Sequence, residues 1–126
     1  MKNAIQSPDA PAAIGPYSQA IDTGSLVFFS GQIPMDPSTG QLAGSTIEDQ
    51  TRQVMQNMRA VLGAARLDFS HVVKTTIFLT DLAHFTTVNA IYGEHFSDPA
   101  PARACVQVAA LPKDALIEIE WIAARP

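Results

Sequence analysis

The chain is short of several things. Its 126 residues include one cysteine, Cys105, so no intrachain disulfide can form and the fold must rest on its core. A lone thiol fits a reducing compartment. Charged residues make up 16% of the sequence, below the usual ~25%. The eight Lys and Arg residues are scattered and the net charge is −4, which speaks against nucleic acid as the main partner. No run of ~18 apolar residues exists to span a membrane. The segment Met1–Tyr17 is rich in Pro and Ala and lacks the apolar stretch of a signal peptide. The expectation is a cytoplasmic protein with no membrane partner. His71, His84 and His95 stand at no ligand spacing from one another or from Cys105, so no metal site is expected. G-x-G-x-x-G, P-loop and G-x-S-x-G motifs are all missing, which removes the nucleotide-binding and serine-hydrolase readings.

What is present is apolar material, 47% of the residues. That is ample for the core of one domain spanning 1–126, the size expected of a single unit. So little charge on so small a domain points to apolar surface covered by other copies of the chain.

Residues 2–16 read as extended, with Gly15-Pro16 a turn signal and Tyr17 opening a short run to Ile21. Asp22-Thr23-Gly24-Ser25 reads as a hairpin turn, and Leu26–Ser30 as a central strand. Gly31 behind it permits close approach of backbone or ligand. Pro34, Pro37, Gly40 and Gly44 mark a loop. Ser45 and Glu48 form a capping-box pair ahead of a helix over Ile47–Arg66, whose stripe is Ile47, Val54, Met58, Val61, Leu62 and Ala65. Met55 joins Met58 as core filling. Val72–Leu79 reads as a buried strand. Asp81 caps a second helix with Leu82, Phe85, Val88, Tyr92 and Phe96 inward and Asn89 beside them, stopped by Asp98-Pro99.

The last quarter holds two period-2 runs around Leu111-Pro112-Lys113-Asp114, the pattern of two antiparallel strands in a hairpin. In the second, Ile117, Ile119, Trp121 and Ala123 share a face, and Glu118 and Glu120 take the other. If the two strands are neighbours, Arg103, Cys105 and Gln107 fall on the face of Glu118 and Glu120. An arginine, a thiol and two carboxylates would then stand together. Pattern alone favours a surface ion pair there, worth ~0–1 kcal/mol. The element order is β-β-β-α-β-α-β-β, and two helices cover only one face of such a sheet. The other face is a candidate oligomer surface.

Pro101-Ala102-Arg103, Cys105-Val106, Leu111 and Ile117-Glu118-Ile119 together resemble the signature of the YjgF/RidA family of enamine/imine deaminases. The same resemblance is carried by Gly15-Pro16-Tyr17-Ser18-Gln19-Ala20, Ser30-Gly31-Gln32-Ile33-Pro34, Val73-Lys74-Thr75-Thr76 and Val88-Asn89-Ala90-Ile91-Tyr92. It implies an α+β domain of chorismate-mutase-like fold, a mixed sheet with two helices on one face. It further implies a homotrimer with the sheets inside and active sites between subunits. The implied activity is hydrolysis of small carboxylate-bearing imines and enamines, such as 2-aminoacrylate/2-iminopropionate and 2-iminobutyrate released by pyridoxal-phosphate enzymes. The products are a 2-keto acid and ammonia, and no cofactor is needed.

On this resemblance Arg103 holds the substrate carboxylate and Glu118 holds the attacking water, while Glu120 is structural. The main chain at Ala104 and Cys105 completes the site. Tyr17, Ser30, Gly31 and Asn89 shape the pocket, with Tyr17 reaching in from a neighbouring subunit or from the N-terminal segment. The Cys105 thiol need not react. Ala104 stands where many members have Ser, Ala110 where some have Arg, and Trp121 where a small residue is common; Trp121 reads as core packing. The alternatives are a non-catalytic sensor of 2-keto acids, which needs only the arginine, and an RNA-directed activity, which the acidic balance disfavours. A holdase-type interaction protein fits the low charge without being indicated by it.

Overall fold

The computed structural model describes residues 2–126. The elements are β1 (Asn3–Ile5), β2 (Ala20–Asp22), β3 (Leu26–Gln32), α1 (Ile47–Ala64), β4 (Val72–Leu79), α2 (Phe85–Gly93), β5 (Ala102–Gln107) and β6 (Ile117–Ala124). They form a mixed six-stranded sheet in the order β1-β2-β3-β6-β4-β5. Among the described residues no helix is long and apolar enough to cross a membrane.

The expected element order is present, and the β2–β3 hairpin turns at Gly24, whose φ of 105° is open to glycine at little cost. The sheet is built in the middle by β-branched residues of β4 and β6. Val27, Phe29, Ile77, Leu79, Ile117, Ile119, Trp121 and Ala123 form one buried face under α1. Trp121 stacks on Phe29 with ring centroids 4.5 Å apart, as core packing requires. α1 lays Val54, Met55, Met58, Val61 and Leu62 on that face, all at most 1% exposed. Each such side chain contributes roughly 1.5–3 kcal/mol of burial.

Several local expectations shift. The N-cap of α1 is Thr46, whose Oγ1 accepts from Asp49 N–H at 3.1 Å, so the cap lies one residue beyond Ser45. Asp81 caps a short 3-10 turn over Leu82–His84, and α2 begins only at Phe85. Its buried stripe is Val88, Ile91 and Tyr92, while Leu82 and Phe85 remain exposed. The helix ends at Gly93, before Asp98-Pro99.

The larger correction concerns the C-terminal quarter. β5 and β6 are not neighbours, because β4 lies between them, parallel to β5 and antiparallel to β6. Residues level across a sheet point to the same face. Arg103 is level with Thr75 and through it with Trp121; Cys105 is level with Ile77 and Ile119. Arg103, Cys105 and Gln107 therefore face the helices. Glu118 is level with Phe78 and Val106, and Glu120 with Thr76 and Ala104, on the opposite, uncovered face. The hairpin reading placed all five on one face and is wrong, since the connection through Leu111–Ala115 carries the chain across β4.

That uncovered face is partly apolar. Phe28 and Val106 are 44% and 42% exposed, and Phe78 and Ile122 are half-buried. Asn57 of α1, 1% exposed, donates to the carbonyls of Ile33 at 3.1 Å and Met35 at 3.0 Å, pinning the loop behind β3. Asn57→Ala leaves both carbonyls without that donor and is expected to lower stability by about 1–3 kcal/mol. Urea unfolding followed by circular dichroism checks this.

Candidate functional site

The candidate residues divide into two groups. The first surrounds a cavity of about 420 Å³ lined by Tyr17, Ser30, Gly31 and Glu118 together with Ile14 and Lys113. It forms because β3 is irregular between Phe29 and Gln32. In that bulge Ser30 N–H donates to Gln19 C=O at 2.9 Å, and Ser30 Oγ donates to Ser18 C=O at 2.6 Å. The bulge turns Gly31 toward β6 and the Glu118 side chain. A Cβ at Gly31 would overlap the Glu118 carboxylate, standing 2.9 Å from its Cδ. Glycine is thus required for the carboxylate to occupy this place.

Tyr17 lies on the same cavity and within the same chain as Glu118, at 51% exposure. Its hydroxyl accepts from Ile14 N–H at 3.3 Å. Gln19 is the anchor of this wall. Its buried amide accepts from Ser7 N–H at 2.6 Å and donates to Pro11 C=O at 2.7 Å, which ties down residues 7–11 and sets Pro11 on the cavity wall. In the sequence Gln19 stands only within the Gly15–Ala20 block, with no role of its own. A glutamine inside the short apolar run that follows Tyr17 must find partners if buried, and that was the available signal. Lys113 was likewise passed over; it enters through a left-handed turn, with φ of 57° at Lys113 and 59° at Asp114.

Burial in this cavity pushes the Glu118 carboxyl above its ordinary value, and the nearby Glu120 charge adds to the effect. Among the described residues Glu118 has no salt-bridge partner. Such a group holds a proton more readily than an ordinary glutamate, as a general acid–base residue must. Glu120 lines a different, shallower groove beside Phe28, Lys74 and Thr76.

The second group sits at the opposite edge of the sheet, on the helix side. Arg103 of β5 donates from Nη1 to Asn89 Oδ1 at 2.7 Å. Its guanidinium lies 5.4 Å from the Phe85 ring centroid and 5.2 Å from that of Tyr92. No carboxylate of the described residues pairs with it, so an exposed, held cation keeps its charge uncompensated. Cys105 lies on the same face, partly packed against the core. Burial pushes its thiol up, only partly opposed by the Arg103 charge. The thiol is therefore the neutral form, a poor nucleophile. Ala104 between them points to the uncovered face. No three His, Cys, Asp or Glu residues among those described stand together as metal ligands.

Within one chain the two groups do not meet. Arg103 and Glu118 are two strands apart and three residues out of level, a Cα separation of roughly 14 Å, and they point to opposite faces.

Residues 7–125 match the model of the family described as Endoribonuclease L-PSP, in which the YjgF/RidA proteins are placed. The chain belongs to the YjgF/RidA family. It is 53% identical to Protein DfrA of Myxococcus xanthus, over 97% of this chain and 95% of that one. It is 51% identical to the 2-iminobutanoate/2-iminopropanoate deaminase of Salmonella typhimurium, over 99% of both chains. Among solved structures, Escherichia coli TdcF with bound serine superimposes with a TM-score of 0.92 at 46% identity, covering 98% of this chain and 99% of that one. The α+β fold expected of a YjgF/RidA member is the one observed.

Gly31→Ala isolates the close approach. The clash is with the end of a flexible side chain, so the variant is expected to fold with a melting temperature within a few degrees of wild type. The carboxylate is displaced, and a crystal structure of the variant is expected to show Glu118 in another rotamer. An unmoved Glu118 contradicts the packing described.

Proposed function

We propose that this chain is an imine/enamine deaminase acting without a cofactor on small, carboxylate-bearing substrates of the 2-iminopropionate and 2-iminobutyrate class. In the reaction water adds to the C=N carbon, the C–N bond breaks, and 2-keto acid and ammonia leave. The sites are completed between the subunits of a homotrimer whose sheets face inward.

The observation that carries the reading is the pair of complementary half-sites, Arg103 held without a counter-ion and Glu118 held in a cavity at raised proton affinity. Imine hydrolysis needs a carboxylate clamp and an acid–base group, and these residues supply one of each. Arg103 receives the substrate carboxylate as a bidentate fork and so fixes the imine carbon for attack. Glu118 takes a proton from the water as it adds and passes it to the leaving nitrogen. Its raised pKa matches that task better than an ordinary glutamate would. The main chain at Ala104 and Cys105 helps hold the water; the neutral Cys105 thiol stays out of the chemistry. Ser30, Tyr17 and Gly31 form the wall around Glu118, and Asn89 orients Arg103.

Because one chain keeps the half-sites on opposite faces, a second copy must bring them together. The partly apolar uncovered face, with Phe28 and Val106 exposed, is the surface on which copies would pack. The deaminase name of the Salmonella relative supports the activity, and serine bound to TdcF supports a site that accepts a small α-carboxylate. A 2-keto acid sensor would need only Arg103 and gives Glu118 no role. The family description names an endoribonuclease, but the net charge of −4 does not favour a polyanion.

The test is an imine-hydrolysis assay in which an amino-acid oxidase or a threonine dehydratase supplies the imine and semicarbazide competes for it. Wild type is expected to suppress semicarbazone formation. Arg103→Ala and Glu118→Gln are each expected to lose at least 10²-fold, the low end of general acid–base effects, and Glu120→Gln less than threefold. The wild-type rate is expected to fall on acidification as Glu118 protonates, through an apparent pKa above the ordinary glutamate value of ~4.3. Equal losses in the two glutamate variants remove the assignment of Glu118.

A further inference from the structure

α2 presents Phe85, Asn89 and Tyr92 at i, i+4 and i+7, three residues that share one face of a helix. All three touch the Arg103 guanidinium: Asn89 by a 2.7 Å hydrogen bond, Phe85 and Tyr92 by their ring faces at nearly equal distance, 5.4 and 5.2 Å. The two rings differ in how they are fixed. Tyr92 is 5% exposed, packs on Phe96 with centroids 4.5 Å apart, and shares a 2.8 Å hydrogen bond with the hydroxyl of Thr75. Thr75 is fully buried and is the residue of β4 level with Arg103. Phe85 is 38% exposed and lies outside the core cluster, so burial does not account for its ring.

We propose that Phe85 and Tyr92 are positioning residues that, with Asn89, hold the Arg103 guanidinium in one orientation, and that Thr75 acts at one remove by fixing Tyr92. This rests on the reading of Arg103 as the carboxylate clamp. An exposed arginine samples many rotamers, and each must be given up when it grips a ligand; holding it beforehand removes that cost. Two ring faces attract the cation without neutralising it, whereas a carboxylate partner would compete with the substrate. Asn89 occupies a proton of Nη1, and the donors of Nη2 and Nε remain for a bidentate carboxylate.

The measurement combines two readouts on the assembled protein, wild type, Phe85→Leu and Phe85→Tyr. The first is the Arg103 Nε–H resonance in ¹⁵N-correlated NMR, which reports ring proximity whether or not the protein is active. It is expected upfield in wild type and Phe85→Tyr, and nearer the value of a free arginine in Phe85→Leu. The second is calorimetric affinity for 2-oxobutanoate, expected to weaken about two- to fivefold in Phe85→Leu and to return in Phe85→Tyr, at unchanged melting temperature. An Arg103 resonance and an affinity that both ignore Phe85→Leu overturn the proposal. A resonance that responds in a protein that neither binds 2-oxobutanoate nor hydrolyses imines leaves the cradle standing and removes the deaminase reading instead.

Discussion

The placement of β4 between β5 and β6 governs everything the site can be. β4 is parallel to one neighbour and antiparallel to the other, so the connection after β5 crosses it before β6 returns. The sheet's period of two then decides the faces. Thr75 sends Arg103 to the helix side, and Phe78 leaves Glu118 on the open side. A one-residue slip would reverse this and expose Ile77 and Ile119, both fully buried, at a cost of several kcal/mol. The burial of the core thus holds the two charged residues apart.

That separation has an electrostatic consequence. An arginine and a glutamate in contact would neutralise each other, lowering the glutamate's pKa and occupying the arginine's donors. Among the described residues neither has a salt-bridge partner. Arg103 is flanked by two rings and an amide, and Glu118 sits against a glycine in a largely apolar cavity. Arg103 is left as a cation without a counter-ion, and Glu118 as a carboxyl with raised proton affinity.

Much of the fold was legible because local rules agreed with packing. The α1 stripe from Ile47 to Ala65 is buried as its period requires, β4 has the bounds its β-branched run implies, and Trp121 packs where its face of β6 puts it. The capping residue missed by one position because Ser45 and Thr46 are both capping types, and it is the Thr46 side chain that takes the Asp49 N–H. Strand adjacency was not legible. Two alternating runs separated by a short break read as a hairpin, and nothing local to residues 101–123 records that a strand from residues 72–79 enters between them. Of the candidate site, alternation alone singled out Arg103, Cys105, Glu118 and Glu120, and the separate roles expected of Glu118 and Glu120 came from the family resemblance. The division into half-sites, and the parts of Gln19, Phe85 and Tyr92, depend on long-range contacts that no spacing encodes.

On the proposed function, a working site takes Arg103 from one copy of the chain and Glu118 from another. The most direct measurement mixes Arg103→Ala with Glu118→Gln in equal amounts, dissociates and reassembles them, and assays imine hydrolysis. Each variant alone is expected to be inactive. In random mixed assemblies a site between two copies is intact when one neighbour supplies the arginine and the other the glutamate, about a quarter of all sites, so about a quarter of wild-type activity is expected to return. A mixture that stays as inactive as its components, with mixed assemblies confirmed by mass spectrometry, contradicts the account.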